Sequence, residues 1–205
     1  MSLNRYIAKQ FGKPTGFGGR LITAVMNRQN RPMYEATASL LNIADSDLAL
    51  DIGCGNGYML NLLARQGNAV FAGIDISETM IKSAITRNRR FVDAKRMTFS
   101  RQSADKMTFE DASFGKVYSV NTVYFWDDLD RTLSEIRRVL KPGGLFVNTL
   151  YTNKTLARFS HTRYGYKQYQ PERLLEAAQN TGFEVNIIPI LDGAAYSIVS
   201  KVSEL

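Results

Sequence analysis

Three groups of residues in this chain have the types and spacing to do chemistry. Asp51 leads into Ile52-Gly53-Cys54-Gly55-Asn56-Gly57, with glycine at alternate positions. Such glycines let a backbone turn sharply and lie close to a ligand where a β-carbon would collide. The N–H groups at the start of a following helix would then point at that ligand. A second carboxylate, Asp75, ends the apolar run Ala69-Val70-Phe71-Ala72-Gly73-Ile74. Its distance of about 20 residues from the glycines suits the two hydroxyls of a ribose. The third group is Asn121-Thr122-Val123-Tyr124-Phe125-Trp126, followed later by the single histidine, His161. The first two groups together predict a site for a nucleoside-containing cofactor. His161 carries the one side chain whose ordinary pKa lies near neutrality, which makes it a candidate base.

These residues need elements to hold them. Residues 48–52 read as a buried strand leading to a helix near 57–66. A strand over 69–74 leads to a helix near 78–88, with Ser77 as its N-cap. Short strands follow over 97–100 and 116–121. Asp127 or Asp128 can cap a helix with Leu129, Leu133, Ile136 and Leu140 on one face, and Lys141-Pro142-Gly143-Gly144 should stop it. A strand over 145–150 follows, then a helix opened by Pro171 and ended at Gly182. Strands over 184–190 and 196–202 have no crossover between them, so they should pair as an antiparallel hairpin. Alternation of this kind predicts a mostly parallel sheet with helices on both faces. Before the first strand, Phe11 to Gly19 is turn-rich and reads as a mobile loop. Leu21, Ile22, Val25 and Met26, then Met33, Ala36, Thr37, Leu40 and Leu41, recur at helical spacing. The expected organisation is a helical lid over 1–45 and a main domain over 46–205.

Composition limits the alternatives. A chain of 205 residues, 44% hydrophobic, suits one α/β domain with a small cap. No apolar run approaches the ~20 residues of a membrane span, and no signal-type stretch follows the first residues. The one cysteine, Cys54, can form neither an internal disulfide nor a cysteine-rich metal site, and no metal is expected. The default is a cytoplasmic protein. The net charge of +7 is concentrated at Arg5, Lys9, Lys13, Arg20, Arg28 and Arg31, and between Lys82 and Arg101. No nucleic-acid module accompanies it, so a solvated basic surface is favoured over a nucleic-acid partner. The basic helix near Arg20 to Arg31 suits a lid burying its apolar face better than a membrane-surface helix.

Two nucleotide motifs fail on inspection. A P-loop needs Gly-Lys-Ser/Thr where Gly57-Tyr58-Met59 stands, and a dinucleotide fingerprint needs its last small residue where Tyr58 stands. The Asp-x-Gly-x-Gly-x-Gly pattern instead resembles motif I of class I S-adenosylmethionine-dependent methyltransferases. Further segments resemble that family in order: Gly73-Ile74-Asp75-Ile76-Ser77, Ser103-Ala104-Asp105, Asp111-Ala112-Ser113-Phe114 and Leu140-Lys141-Pro142-Gly143-Gly144-Leu145. The resemblance covers roughly 48–150. It implies a Rossmann-like, doubly wound, seven-stranded sheet with the C-terminal hairpin, and S-adenosylmethionine as cofactor, leaving as S-adenosylhomocysteine. It further implies that Asp51, Gly53, Cys54 and Gly55 wrap the amino-acid half and that Asp75 takes the ribose. Ile76 and Met80 would border the adenine, Ala104 and Asp105 would meet its edge, and Asn121 would lie beside the reaction centre. Gly115 stands where the family usually has aspartate, and Lys106-Met107-Thr108-Phe109 replaces a leucine-proline-phenylalanine turn.

A sulfonium methyl is already activated, so the expected work is alignment and exclusion of water. Tyr124 and His161 are the candidate catalytic residues, and Tyr124, Trp126 and Tyr151 the candidate acceptor contacts. The region after the fifth strand is rich in tyrosine (Tyr151, Tyr164, Tyr166, Tyr169) and could grip a flat acceptor. Thr122 and Val123 replace the two prolines typical of amino-directed nucleic-acid enzymes, and no Pro-Cys pair of the cytosine carbon-5 type is present. The expected partner is a small-molecule methyl acceptor. An RNA or protein methyltransferase, a non-catalytic cofactor-binding protein and a nicotinamide oxidoreductase are the rivals. The sequence does not specify oligomeric state.

Overall fold

A computed structural model describes residues 16–204, with side chains from Met26 onward. The expected loop over 11–15, the cations Arg5, Lys9 and Lys13, and the side chains of Arg20, Leu21, Ile22 and Val25 lie outside the described residues. Seven strands form one sheet: β1 (Leu48–Ile52), β2 (Val70–Asp75), β3 (Met97–Arg101), β4 (Phe114–Val120), β5 (Leu140–Tyr151), β6 (Phe183–Ile190) and β7 (Ala195–Val202). Their spatial order is β3-β2-β1-β4-β5-β7-β6. The first five are parallel, and β7 runs antiparallel between β5 and the edge strand β6. This is the mostly parallel, doubly wound sheet with a terminal hairpin that the sequence predicts.

Helices cover both faces: α1 (Gly16–Leu41), α2 (Tyr58–Ala64), α3 (Glu78–Arg87), α4 (Arg89–Asp93), α5 (Leu129–Val139), α6 (Asn153–Leu156) and α7 (Pro171–Asn180). Leu50 and Ile52 of β1 join one apolar cluster with Leu133, Ile136 and Leu174, whereas Ala49 joins a second with Leu41, Leu60 and Phe91. Alternate residues of one strand thus feed opposite faces, as the two-residue period requires. Burial on both faces explains why Leu48-Ala49-Leu50 reads as apolar throughout rather than alternating.

The caps fall where their side chains can reach. Ser77 Oγ accepts from the Met80 N–H, Asp128 rather than Asp127 accepts from Arg131 N–H, and Pro171 opens α7. Three boundaries differ from expectation. Gly16 to Gly19 belong to α1 and not to a loop. Each glycine costs a helix about 1 kcal/mol, but extending an existing helix adds one hydrogen bond per residue fixed. Second, β5 begins at Leu140, five residues early. Leu140 pairs with Phe114, and a register shift carried by the Lys141–Gly144 turn then brings Leu145 opposite Lys116. Third, α3 stops at Arg87 because buried Asn88 interrupts it, and the short α4 follows.

Candidate functional site

In this strand order the chain leaves β1 toward β2 on one side, and β4 and β5 lie on the other. A crevice forms outside the carboxyl ends of strands at such a reversal. A cleft of about 1200 Å³, counting its open mouth, occupies that place. The loops after β1, β2, β3 and β4 line it, contributing Gly53–Asn56, Asp75–Ile76, Gln102–Asp105 and Asn121–Thr122. Residues up to 52 positions apart, from the loop after β1 to that after β3, meet only through this topology.

The glycine loop is held by the protein itself. Gly53 and Cys54 both donate to the Ile74 carbonyl, at 2.8 and 2.9 Å. Gly53 has φ +73, and a β-carbon there would overlap the Thr122 side chain. Gly57 is left-handed too, and a β-carbon on it would press on Asn88. Gly55 differs: at φ +52 its missing β-carbon would meet nothing within 4 Å, because it faces the cleft. An added β-carbon would thus point into open space only at Gly55; at Gly53 and Gly57 it would meet Thr122 and Asn88.

Asp75 sits across from this loop. Its Oδ2 accepts from Gly55 N–H at 3.0 Å and its Oδ1 from Ser77 N–H at 2.7 Å. Burial pushes its carboxyl up, and the two N–H groups oppose the shift. Each oxygen retains acceptor capacity, so a pair of hydroxyls could still be held there. Asp51, opposite Tyr118 in the β1–β4 register, is almost wholly buried. Desolvation raises its pKa to about 8, and the nearby Asp75 charge adds to this. The Tyr118 hydroxyl offsets part of the shift, although it reaches no acceptor at hydrogen-bond geometry. The same burial, with two carboxylates nearby, pushes the Cys54 thiol up, so it is no nucleophile.

Ile76 stands exposed at the cleft rim and Met80 is fully buried behind it. Ala104 and Asp105 line the far end. Asp105 is held through its main chain, whose carbonyl accepts from Arg131 Nε. Arg138 pins the same connection by donating to the carbonyls of Met107 and Phe109 and to Asp111 and Glu135. Met107 of this connection is buried. Gly115 faces only Asp47 at 3.3 Å, so its departure from aspartate touches the start of β4 and not the cleft.

Asn121, at φ +57, closes the wall between this cleft and a neighbouring chamber. Its Nδ2 donates to Asn30 Oδ1, and its Oδ1 accepts from the Tyr124 hydroxyl, both at 3.1 Å. That hydroxyl in turn accepts from Tyr151 N–H at 2.8 Å. The candidates divide accordingly. Trp126 lines the first cleft, with its ring against Phe146, while Tyr124, Tyr151 and His161 line the second chamber. Sequence reasoning missed the α1 contribution. Asn27 Nδ2 donates to Asn56 Oδ1, and Tyr34 donates to Asn27 Oδ1. Asn27, Asn30 and Tyr34, three and four residues apart, form a polar stripe along an otherwise apolar helix face, and that interruption was the available signal.

The doubly wound sheet brings the glycine loop after β1 and the acid at the end of β2 to one cleft at the strand ends. Comparison with known proteins adds to this. Residues 50–148 match the family described as a methyltransferase domain. Over 121 residues, 58% of this chain, the sequence is 33% identical to YdaC of Bacillus subtilis (strain 168), an uncharacterized methyltransferase, and covers 65% of it. Over 122 residues, 60% of this chain, it is 29% identical to the 27-O-demethylrifamycin SV methyltransferase of Amycolatopsis mediterranei (strain S699), and covers 45% of it. Geranyl diphosphate C-methyltransferase from Streptomyces coelicolor A3(2), solved with Mg2+, geranyl diphosphate and S-adenosyl-L-homocysteine, shares the fold with a TM-score of 0.72 at 15% identity. That match covers 95% of this chain and 86% of the other. Residues 50–148, just under half of the chain, are thus similar to methyltransferases in sequence, and nearly the whole chain shares the fold of a solved methyltransferase. The chain spans about two thirds of YdaC and under half of the rifamycin enzyme.

Proposed function

We propose that this protein transfers a methyl group from S-adenosylmethionine to a small-molecule acceptor. One observation carries the reading: the loop at 53–56 and the Asp75 carboxylate line one open cleft, and that cleft adjoins a second chamber. When bound, the cofactor supplies an electrophilic methyl carbon on a sulfonium. Gly55 leaves space for its amino-acid half, Asp51 places a carboxyl beside that half, and Asp75 accepts from its ribose. Ile76 and Met80 flank the adenine, with Ala104 and Asp105 at its edge, and Asn121 and Cys54 close the wall toward the acceptor.

The acceptor enters from the second chamber and meets the methyl carbon near the Asn30–Asn121 partition. Asn121 is fixed by Asn30 and Tyr124, so it keeps one orientation. Burial lowers the His161 pKa below its ordinary value, which leaves the imidazole neutral at pH 7 and able to take a proton. For a hydroxyl acceptor, the oxygen pair forms the bond to carbon, the methyl–sulfur pair stays on sulfur, and the hydroxyl proton passes to His161.

Isothermal titration with S-adenosylhomocysteine tests the donor half of this proposal. Micromolar binding that weakens by about tenfold or more in Asp75→Ala is expected, since two charge-assisted hydrogen bonds are lost. Absence of binding by the unaltered protein overturns the proposal.

A further inference from the structure

The second chamber, of about 470 Å³ counting its open mouth, has walls unlike those of the first. It shares Met26, Asn30, Asn121 and Phe125 with the cofactor cleft, so the two meet at the asparagine partition. Beyond that partition, aromatic rings follow one another around it. Tyr151 lies 6.2 Å from Phe159, Phe159 5.8 Å from His161, and His161 6.0 Å from Tyr166. Tyr166 in turn lies 5.4 Å from Tyr124 and 4.7 Å from Phe125, the latter edge-on. These rings come from four separate places: the turn after β4, the end of β5, the turns after α6, and the segment before α7.

Among the described residues lining this chamber, none carries a carboxylate, an ammonium or a guanidinium group. Its polar groups are amides, hydroxyls and one imidazole. Burial raises the pKa of Tyr166 and Tyr151, so both hydroxyls stay protonated at neutral pH. The cofactor cleft, by contrast, holds Asp51, Asp75, Asp105 and Asp127. A charged acceptor leaving water for the ringed chamber would meet no opposite charge among these described residues, and such burial is costly. A protonated amine would lack both a counter-ion and the lone pair that attack requires. A flat ring, however, would gain edge-to-face and offset contacts on several sides at once.

We propose that the ringed chamber is the methyl-acceptor site and selects an uncharged, planar aromatic molecule. This rests on the methyltransferase reading given above. It makes Phe159 and Tyr166 specificity-determining residues. They grip the acceptor's ring and take no part in the transfer itself.

The test titrates the full chain with 2-naphthol, 2-naphthoate and 2-naphthylmethylammonium, each with and without saturating S-adenosylhomocysteine. The expected result is that 2-naphthol binds at least about tenfold more tightly than either charged analogue. Phe159→Leu and Tyr166→Leu should each weaken 2-naphthol by about fivefold, because ring-on-ring contact is lost while apolar bulk remains. Circular dichroism confirms the fold of both variants, and their affinity for S-adenosylhomocysteine should not change. Equal or tighter binding of a charged analogue, no binding of 2-naphthol, or naphthol affinity unmoved by both substitutions overturns the proposal. If S-adenosylhomocysteine fails to bind while the naphthol preference and its loss in both variants hold, the chamber's selectivity stands and the donor reading falls.

Discussion

Gly53 and Gly55 are indistinguishable in the sequence motif, yet they answer to different neighbours. Gly53 is enclosed by Thr122 at φ +73, whereas Gly55 faces the open cleft at φ +52. Gly53→Ala should therefore unfold at lower denaturant, by about 2–4 kcal/mol, through overlap plus a left-handed backbone. Gly55→Ala should cost only about 1 kcal/mol of stability while abolishing measurable S-adenosylhomocysteine binding in the same titration. Asp51 supplies a pH dependence. Its folded pKa of about 8 lies above its unfolded value, so the stability it contributes is fully present below about pH 4 and is lost as pH rises through 8. Asp51→Asn should remove that decline, so its melting temperature relative to the unaltered protein should rise between pH 5 and pH 9. A cationic ligand beside Asp51 would favour the ionised form. Binding of S-adenosylhomocysteine through its ammonium should then release protons near pH 7, read as heats that differ between buffers of different ionisation enthalpy.

At the scale of elements, two fastenings hold the cleft's movable walls. Arg138, on α5, reaches across to two main-chain carbonyls and two carboxylates and so fixes the connection that carries Ala104 and Asp105. Its side chain is 29% exposed, which tempers each ion pair. The carbonyl bonds nevertheless make Arg138→Ala cost about 2 kcal/mol in chemical denaturation. The same change should weaken cofactor binding without touching the ligand. The other fastening is α1. Pro32 removes one backbone donor from its middle, and Asn27 and Asn30 tie the helix to Asn56 and Asn121. Asn27→Ala should speed amide hydrogen exchange in residues 20–30 while leaving the 33–41 turns slow. The latter are anchored by buried Met33, Thr37 and Leu41, and by the hydroxyl contact of Thr37 with Thr149. Uniform acceleration along the helix would show that Asn27 is not a local latch.

For the molecule as a whole, binding at the strand-end crevice should couple to global stability, because ligands there touch loops from four parallel strands. At about one hundred times its dissociation constant, S-adenosylhomocysteine should add about 2.7 kcal/mol and raise the melting temperature by about 5–10 °C. Much of this architecture could be read from the chain alone. Apolar runs over Leu48–Ile52 and Val70–Ile74, the caps Ser77 and Pro171 and the unconnected final strands are local signals, and local signals suffice for a parallel sheet with a hairpin. The glycine spacing and Asp75 likewise pointed to residues that line one strand-end cleft, since a strand end and a tight turn can be recognised within a few residues. The sequence did not reveal which of these glycines faces open space, because that depends on where Thr122 and Asn88 arrive from distant elements. Nor did it reveal that Tyr124, Tyr151, Phe159, His161 and Tyr166 close a ring around one chamber while Trp126 faces another. Side chains up to 42 positions apart share a wall only after the sheet has formed, and no periodicity within a single element encodes their meeting.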